Sequence, residues 1–368
     1  MPGIIIKVSI NLLGIYFASF GRTCIFSHTI FFTNKLPYMS SSKYVAKSQS
    51  RRTFFLNSSM ASLGLLVGGK AAWASRAGNI FGGKPDSKFA GVQIGVITYS
   101  FRSLPGSVGQ VLQYVVDSGI SAIELMGDAV EEYAGKPAEA EKGHDQAMRQ
   151  AHTKEVAEWR ANVAMDKFEE IRKMYHKAGV HIYAFKPDAL NANNTDAEIE
   201  YALRVAKALG AVSVTVELPR DAAHSKRLGE LGEKHKVYIG YHAHTQATDT
   251  AWDVALGQSP YNSMNLDCGH YIAAGGNNNK ETLLALIAAK HDRITSMHIK
   301  DRKVKNAGGQ NMPWGQGDTP IKEILTLLKE KKYKIPATIE LEYDVPAGSD
   351  AVKETKVCVA YAKAALQG

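Results

Sequence analysis

Four segments in the second half of this 368-residue chain run as strands and stop on a residue that can bind a cation or move a proton. They read Tyr238-Ile239-Gly240-Tyr241-His242-Ala243-His244, Met264-Asn265-Leu266-Asp267-Cys268-Gly269-His270, Ile294-Thr295-Ser296-Met297-His298-Ile299-Lys300-Asp301 and Ala337-Thr338-Ile339-Glu340-Leu341-Glu342. One such ending carries little. Four in order, with helical segments between them, imply parallel strands whose C-terminal ends converge on a cation. Barrel enzymes place their chemistry on that rim, because only there do loops from several strands meet. Of the eleven histidines after residue 74, four (His242, His244, His270 and His298) cluster at or just past these ends. Imidazole mixed with carboxylate suits one divalent ion among Mn, Fe, Co, Zn and Mg. No Cys-x-x-Cys or His-Glu-x-x-His is present, so structural zinc and zincin readings lack support.

Other strand ends add candidates. Glu217 closes Val214-Thr215-Val216-Glu217 and is expected at the site as ligand or base, against the plainer reading of a surface carboxylate. Lys186 ends Ile182-Tyr183-Ala184-Phe185-Lys186 and could serve as electrophile or general acid, or simply pair with Glu217 or Glu124. Glu124 in Ala122-Ile123-Glu124-Leu125 could bind a sugar hydroxyl or neutralise a basic neighbour. His244 could orient His242 or belong to the loop. Lys300 and Asp301 meet substrate or brace the loop, and Glu342 lies one layer beyond Glu340 on the same side. Trp314-Gly315-Gln316-Gly317-Asp318 is weak as a phosphate cradle, so Trp314 reads as a wall for a sugar ring.

The elements that must position these residues alternate regularly. Strands are predicted over Val92–Thr98, Ala122–Leu125, Val180–Phe185, Ser213–Glu217, Val237–His242, Ser263–Asp267, Ile294–His298 and Thr338–Glu340. Amphipathic helices are predicted over Ser107–Ser118, Asp196–Leu209, Lys280–Ala289 and Ile321–Lys331. Gly119, Gly179 and Gly210 stand where helices should end. Eight such units define an α/β chain folded as one (β/α)8 barrel rather than an open sheet. An insertion from Met126 to Ala178, with a polar stretch Glu131–Gln150 and a long helix through Trp159, Phe168 and Tyr175, should land on the catalytic face.

Charge separates the first 74 residues from the rest. They hold Lys7, Arg22, Lys35, Lys43, Lys47, Arg51, Arg52 and Lys70 and no acid, which accounts for the whole net charge of +8. The remainder is balanced, which argues against nucleic acid and anionic membranes as partners. Ser50-Arg51-Arg52-Thr53-Phe54-Phe55-Leu56, an apolar stretch from Ala61 to Gly69 and Ala72-Trp73-Ala74 resemble a twin-arginine export signal with its cleavage site. The apolar stretch falls short of the roughly 20 residues a spanning helix needs. The expected organisation is a leader over 1–74, with Met39 as an alternative start, and a single domain over 75–368, exported to the periplasm and free of the membrane once cleaved. Cys268 and Cys358 read as buried small hydrophobes rather than a disulfide.

Gly-Tyr-His-Ala-His, Leu-Asp-Cys-Gly-His, Met-His-Ile-Lys-Asp and the closing Ile-Glu-Leu-Glu together resemble the sugar phosphate isomerase/epimerase group of the xylose isomerase-like TIM barrels, over about Val92 to Leu366. Glu155-Val156-Ala157-Glu158-Trp159-Arg160 and Ile182–Lys186 resemble exported members of it. The resemblance implies one divalent metal held by ligands from strands five to eight. It matches Asp267, His298 and Glu340 to three of these positions, with Glu217 able to supply a further carboxylate. The first position, a Glu in the ketose epimerases, falls on His242. Both metal-bound glutamates of those epimerases move protons, one on each face of a carbon, so the histidine favours one-base isomerisation, or elimination with hydration. Glu340 or Glu217 is then the base, and His270, three residues past Asp267, contacts substrate. The implied substrate is a small carbohydrate, keto-glycosides being one such class; homo-oligomerisation is left open. The alternatives are a phosphodiesterase of the endonuclease IV type, which would need several metals and a basic cleft, and a barrel that binds sugar without turnover.

Overall fold

A computed structural model describes residues 83–139 and 146–368. The expected export signal, the 74/75 boundary and part of the polar stretch lie outside the described residues. Eight parallel strands close on themselves: β1 (Val92–Ile97), β2 (Ala122–Met126), β3 (His181–Lys186), β4 (Ser213–Glu217), β5 (Tyr238–His242), β6 (Asn262–Asp267), β7 (Ile294–Ile299) and β8 (Ala337–Ile339). Each pairs with the next, and β8 pairs with β1 to complete the ring. This is the (β/α)8 barrel that the alternation predicts, with strand bounds within a residue or so.

Period-two patterning decides which side chains enter the barrel. Along β6 the run is Ser263-Met264-Asn265-Leu266-Asp267, and along β7 and beyond it is Ser296-Met297-His298-Ile299-Lys300. The apolar partners face the helices and are buried there, Met264, Leu266, Met297, Ile299 and Ile339 all at 0% exposure. The polar partners face inward and meet across the barrel. Glu124 on β2 reaches His298 on β7, and the Tyr183 hydroxyl on β3 lies 2.7 Å from Thr338 Oγ1 on β8. Gly95 on β1 permits that second crossing, since a Cβ there would stand 2.5 Å from the Tyr183 hydroxyl. Pairing slips by one residue at Met264/Asn265 against β7, and this slip sets Asp267 level with His298. Without it Asp267 would lie beside Met297, which faces outward.

Several helices begin where the sequence provides caps. Ser107 with Gln110, Thr195 with Glu198 and Asn279 with Thr282 form capping boxes for α1 (Val108–Asp117), α5 (Asp196–Leu209) and α9 (Lys280–Lys290). Gly119, Gly179 and Gly210 take left-handed φ values of 76°, 85° and 80° at helix ends. Around them stand α2 (Gly127–Tyr133), α6 (Ala222–His235), α7 (Asp253–Gln258), α8 (Cys268–Ala274), α10 (Ile321–Lys331) and α11 (Ala351–Gln367). Cys268 and Cys358 are buried and free. Among the described residues no helix is long and apolar enough to cross a membrane.

The insertion departs from expectation. Its single predicted helix is two, α3 (Gln146–Asn162) and α4 (Asp166–Lys177). The buried positions Val156, Arg160, Phe168, Ile171 and Tyr175 stay in helical phase through the break, so periodicity alone cannot reveal it. A buried fork fastens α3. Arg160 Nε and Nη2 donate to Glu131 Oε1 and Oε2 at 3.0 and 3.1 Å, with the Tyr201 hydroxyl on Oε1 at 3.2 Å.

Candidate active site

Asp267 ends β6 and opens α8, so its two oxygens divide. Oδ1 accepts the His270 backbone N–H at 2.6 Å, and Oδ2 is left facing the barrel axis. Around Oδ2 stand His242 Nε2 and His298 Nδ1, each at 3.9 Å. Ligand atoms of His242, Asp267 and His298 all lie within 4.8 Å of one another. Glu340 joins through Oε2, 2.8 Å from His298 Nδ1. The four strand-end residues therefore come together, all buried.

The ring nitrogens that face this centre are set by a network one layer deeper. Glu124 Oε2 takes His298 Nε2 at 2.9 Å and Asn265 Nδ2 at 3.0 Å. An ionised carboxylate only accepts, so both must donate. That turns Asn265 Oδ1 toward His242 Nδ1, 3.1 Å away, which must donate in turn. His242 is thereby left with a lone pair on Nε2. His298 has its Nε2 proton on Glu124 and its Nδ1 toward the centre. This carboxylate–histidine arrangement is the one that orients imidazoles on metals.

The donor set fits a divalent ion. Asp267 Oδ2, His298 Nδ1 and Glu340 Oε2 are buried and converge, Nδ1 and Oε2 as an ion pair 2.8 Å apart. Two of these atoms are within ion-pair range of Lys300 Nζ, at 3.0 Å (Asp267) and 2.8 Å (Glu340), though outside hydrogen-bond geometry. Positive charge beside Asp267 and Glu340 comes from Lys300 and His298. Burial would lower His298, but Glu340 and Glu124 on its two sides raise it to about 10. Burial alone would raise Glu340, yet Lys300 and His298 hold it well below the usual range. Asp267 is raised, by burial first and by Glu340. His242 is pushed far down by burial and by the charges of Lys186 and His298, and is neutral.

The remaining candidates form an outer ring. Glu217 is half-exposed and lies between Lys186 Nζ at 3.1 Å and His244 Nδ1 at 3.4 Å, so the structure brings it to the mouth and not into the buried set. Glu342 Oε2 sits 2.8 Å from Lys300 Nζ. His242, His244 and His270 form a second histidine group. That group suits a cation poorly, because the ring nitrogens of His270 face Arg302 and Lys300. Burial and Lys300 push His270 down to about 2. Asp301 is buried and accepts the backbone amides of Gly315, Gly317 and Thr319 at 2.8, 2.8 and 3.1 Å. Trp314, in the loop so held, is buried and packs edge-on against Tyr361 of α11. Two residues escaped sequence reading. Asn265 lies two positions before Asp267 and hence on the same face, a signal that period-two alternation carries. Arg302 lies four past His298 with no comparable sign.

A family model described as the xylose isomerase-like TIM barrel matches residues 112–360. The chain belongs to that family. No curated protein matches it. Among solved structures it is similar to D-psicose 3-epimerase of Clostridium cellulolyticum H10 in complex with D-tagatose, at 12% identity, covering 75% of this chain and 99% of that one with a TM-score of 0.54. It is also similar to a xylose isomerase domain protein from Alicyclobacillus acidocaldarius (15% identity, 75% and 100% covered, TM-score 0.52). A probable 3-DHS dehydratase from Bacillus anthracis compares at 16% identity, 73% and 98% covered, and a TM-score of 0.51. At such identities the likeness is one of fold.

Proposed function

We propose that this protein is a divalent-metal-dependent enzyme that moves a proton next to a carbonyl of a sugar or keto-sugar, with isomerisation or β-elimination as the outcome. The observation that carries the reading is the convergence of His242, Asp267 and His298, with Glu340 beside His298, in one buried cluster at the strand ends. Neighbours of the same fold that act as an epimerase and, by their description, a dehydratase support the reaction class. An ion held by those four residues would act as a Lewis acid on a carbonyl and its neighbouring hydroxyl.

The chain's own groups supply the rest. Glu340 is a carboxylate at neutral pH and is the base that accepts the C–H proton, the other side of the carbon having His242 in place of a second carboxylate. Lys300, anchored by Glu342, holds an ammonium against the oxygen that gains charge. Glu124 and Asn265 keep the two imidazoles turned to the centre. Return of the proton to the neighbouring carbon completes isomerisation; loss of a β-substituent completes elimination.

The test pairs elemental analysis of purified protein with solvent deuterium exchange into a keto-sugar. One equivalent of metal and exchange dependent on it are expected. Turnover without exchange would sink the proton-transfer reading and leave metal-assisted hydrolysis. Export by the twin-arginine route belongs to the same proposal and is supported by Arg51-Arg52 ahead of Ala72-Trp73-Ala74. Replacing both arginines by lysine should retain precursor in the cytoplasm, and N-terminal sequencing that found residues upstream of Ala71 on exported protein would refute cleavage there.

A further inference from the structure

The segments that follow β4 and β5 leave a groove beside the mouth of the barrel. It encloses about 410 Å³ against the first turns of α6 and α7, with Leu218 and Pro219 on one side and Ala251, Val254 and Ala255 on the other. Segments that follow barrel strands stand on the C-terminal rim, so the groove shares the face of the buried centre. The chain itself joins the two. The Leu218 N–H donates to the His242 carbonyl at 2.7 Å, and the Ala247 N–H, one residue past Gln246 of the groove, donates to the His244 carbonyl at 3.0 Å. Glu217 precedes Leu218, and His244 lies two before Gln246. The Glu217–His244 pair, 3.4 Å across, therefore stands between His242 and the groove.

The lining selects among occupants. Its walls are aliphatic, and Val254 keeps 62% of its surface exposed, so apolar area is left for a ligand to cover. No aromatic side chain lines the groove, so a sugar ring finds no face to stack on. Polar partners are few. Ser225 Oγ is already engaged by Gln258 Oε1 at 2.7 Å and the Ala222 carbonyl at 3.1 Å. That leaves Gln246 and Arg220, the one charged residue in the lining. A second sugar, with a hydroxyl on nearly every carbon, would gain little there over water. A folded partner needs about 800 Å² on each side, whereas small-molecule clefts enclose about 300–1,000 Å³.

We infer that the groove is a subsite for a hydrocarbon substituent carried by the sugar substrate. The keto-sugar end lies at the buried centre, and the apolar group leads past Glu217 and His244 into the groove. The sugar end rests on the proposed proton-transfer reading; the affinity of the groove for hydrocarbon does not depend on turnover. No bond changes in the groove, so it binds ground state and transition state alike. Such binding lowers KM and leaves kcat where it was.

The experiment measures calorimetric binding and turnover of methyl, butyl and hexyl keto-glycosides by the full-length purified protein with manganese. The methyl compound is too short to pass Glu217 and His244. Each methylene that reaches the groove should tighten Kd about fourfold, so the hexyl compound should bind at least about tenfold more tightly than the methyl one. KM should fall in parallel. Val254→Glu puts a charge on the groove wall and should flatten the dependence on chain length. Val357→Glu, at a valine 55% exposed on α11, should leave that dependence intact. Affinity that does not rise from methyl to hexyl, an unmoved dependence in Val254→Glu, or a keto-disaccharide bound more tightly than the hexyl compound overturns the inference. The series in the unaltered protein decides it even where Val254→Glu fails to fold. A rising series in a protein that turns none of the compounds over supports the groove and counts against the proposed reaction; turnover with a flat series does the reverse.

Discussion

Metal loading should release a proton, and His298 says how strongly. In the metal-free protein the imidazole lies between Glu124 and Glu340, at 2.9 and 2.8 Å, and is raised to about 10. It is thus an imidazolium at neutral pH. A metal ion needs the Nδ1 lone pair, so the Nδ1 proton must leave first. At pH 7 that is a deficit of about three pH units, or about 4 kcal/mol at 1.36 kcal/mol per unit. The apparent Kd for manganese should therefore fall about tenfold per pH unit between pH 6.5 and 8.5. Calorimetric titration in buffers of different ionisation enthalpy should report one proton released per metal. Glu124→Gln removes one of the two flanking charges, so both the slope and the proton count should drop. A pH-independent Kd with no proton release in the unaltered protein would refute the assignment of His298 as an imidazolium that becomes a ligand. The linkage also has a stability side. A group raised above its ordinary 6.5 in the folded state stabilises fully below that value and loses its contribution as pH rises through the folded value. The metal-free protein should accordingly soften in alkali, and urea titrations at pH 7 and pH 10 would show it.

Glu340→Gln should reduce turnover more than Glu217→Gln, by a factor of at least about 10² if the buried carboxylate is the base; the reverse order in steady-state kinetics would move the base to the mouth. Lys300→Met removes the ammonium that would compete with a metal for Asp267 Oδ2 and Glu340 Oε2, so calorimetry should find manganese bound more tightly while turnover falls. Glu131→Gln leaves the Arg160 guanidinium buried with only Glu198 at 3.5 Å, and urea denaturation should show a loss of about 3 kcal/mol, the lower end for a broken buried pair.

The barrel was legible because its strands carry chemistry that local reasoning can weigh: alternation within, and at several of them a capped helix after or a glycine before. All eight strands are found where alternation predicts them. The insertion was less legible, since α3 and α4 keep one helical phase while the chain breaks between Asn162 and Asp166. At the rim, the strand-end reading assembled His242, Asp267, His298 and Glu340, which depends on strand order alone. What it could not weigh was depth. Glu124 looked like a rim residue, yet it crosses the barrel to hold His298 and Asn265. Glu217 looked equivalent to Glu340, but solvent, Lys186 and His244 surround it. Arg302 donates to the Gly309 carbonyl, in a loop that folds back on itself, and no period reaches across that turn.

The two-residue spacing of the inward positions makes each strand a ruler. Asn265 and Asp267 are one mark apart, as are His298 and Lys300, and Glu340 and Glu342. Barring a further slip of pairing, a single residue inserted within any of these intervals cannot leave both members inside. One would be turned out among the helices, an ion delivered to grease. On β6 the residue that orients an imidazole, Asn265, and the carboxylate of the buried centre, Asp267, are thus tied by parity. Change of length has to be taken up between strands, where the chain can be lengthened or cut without losing count. The slip at Met264/Asn265 is the one place along β6 and β7 where the count is adjusted, and it is adjusted just below the centre it serves.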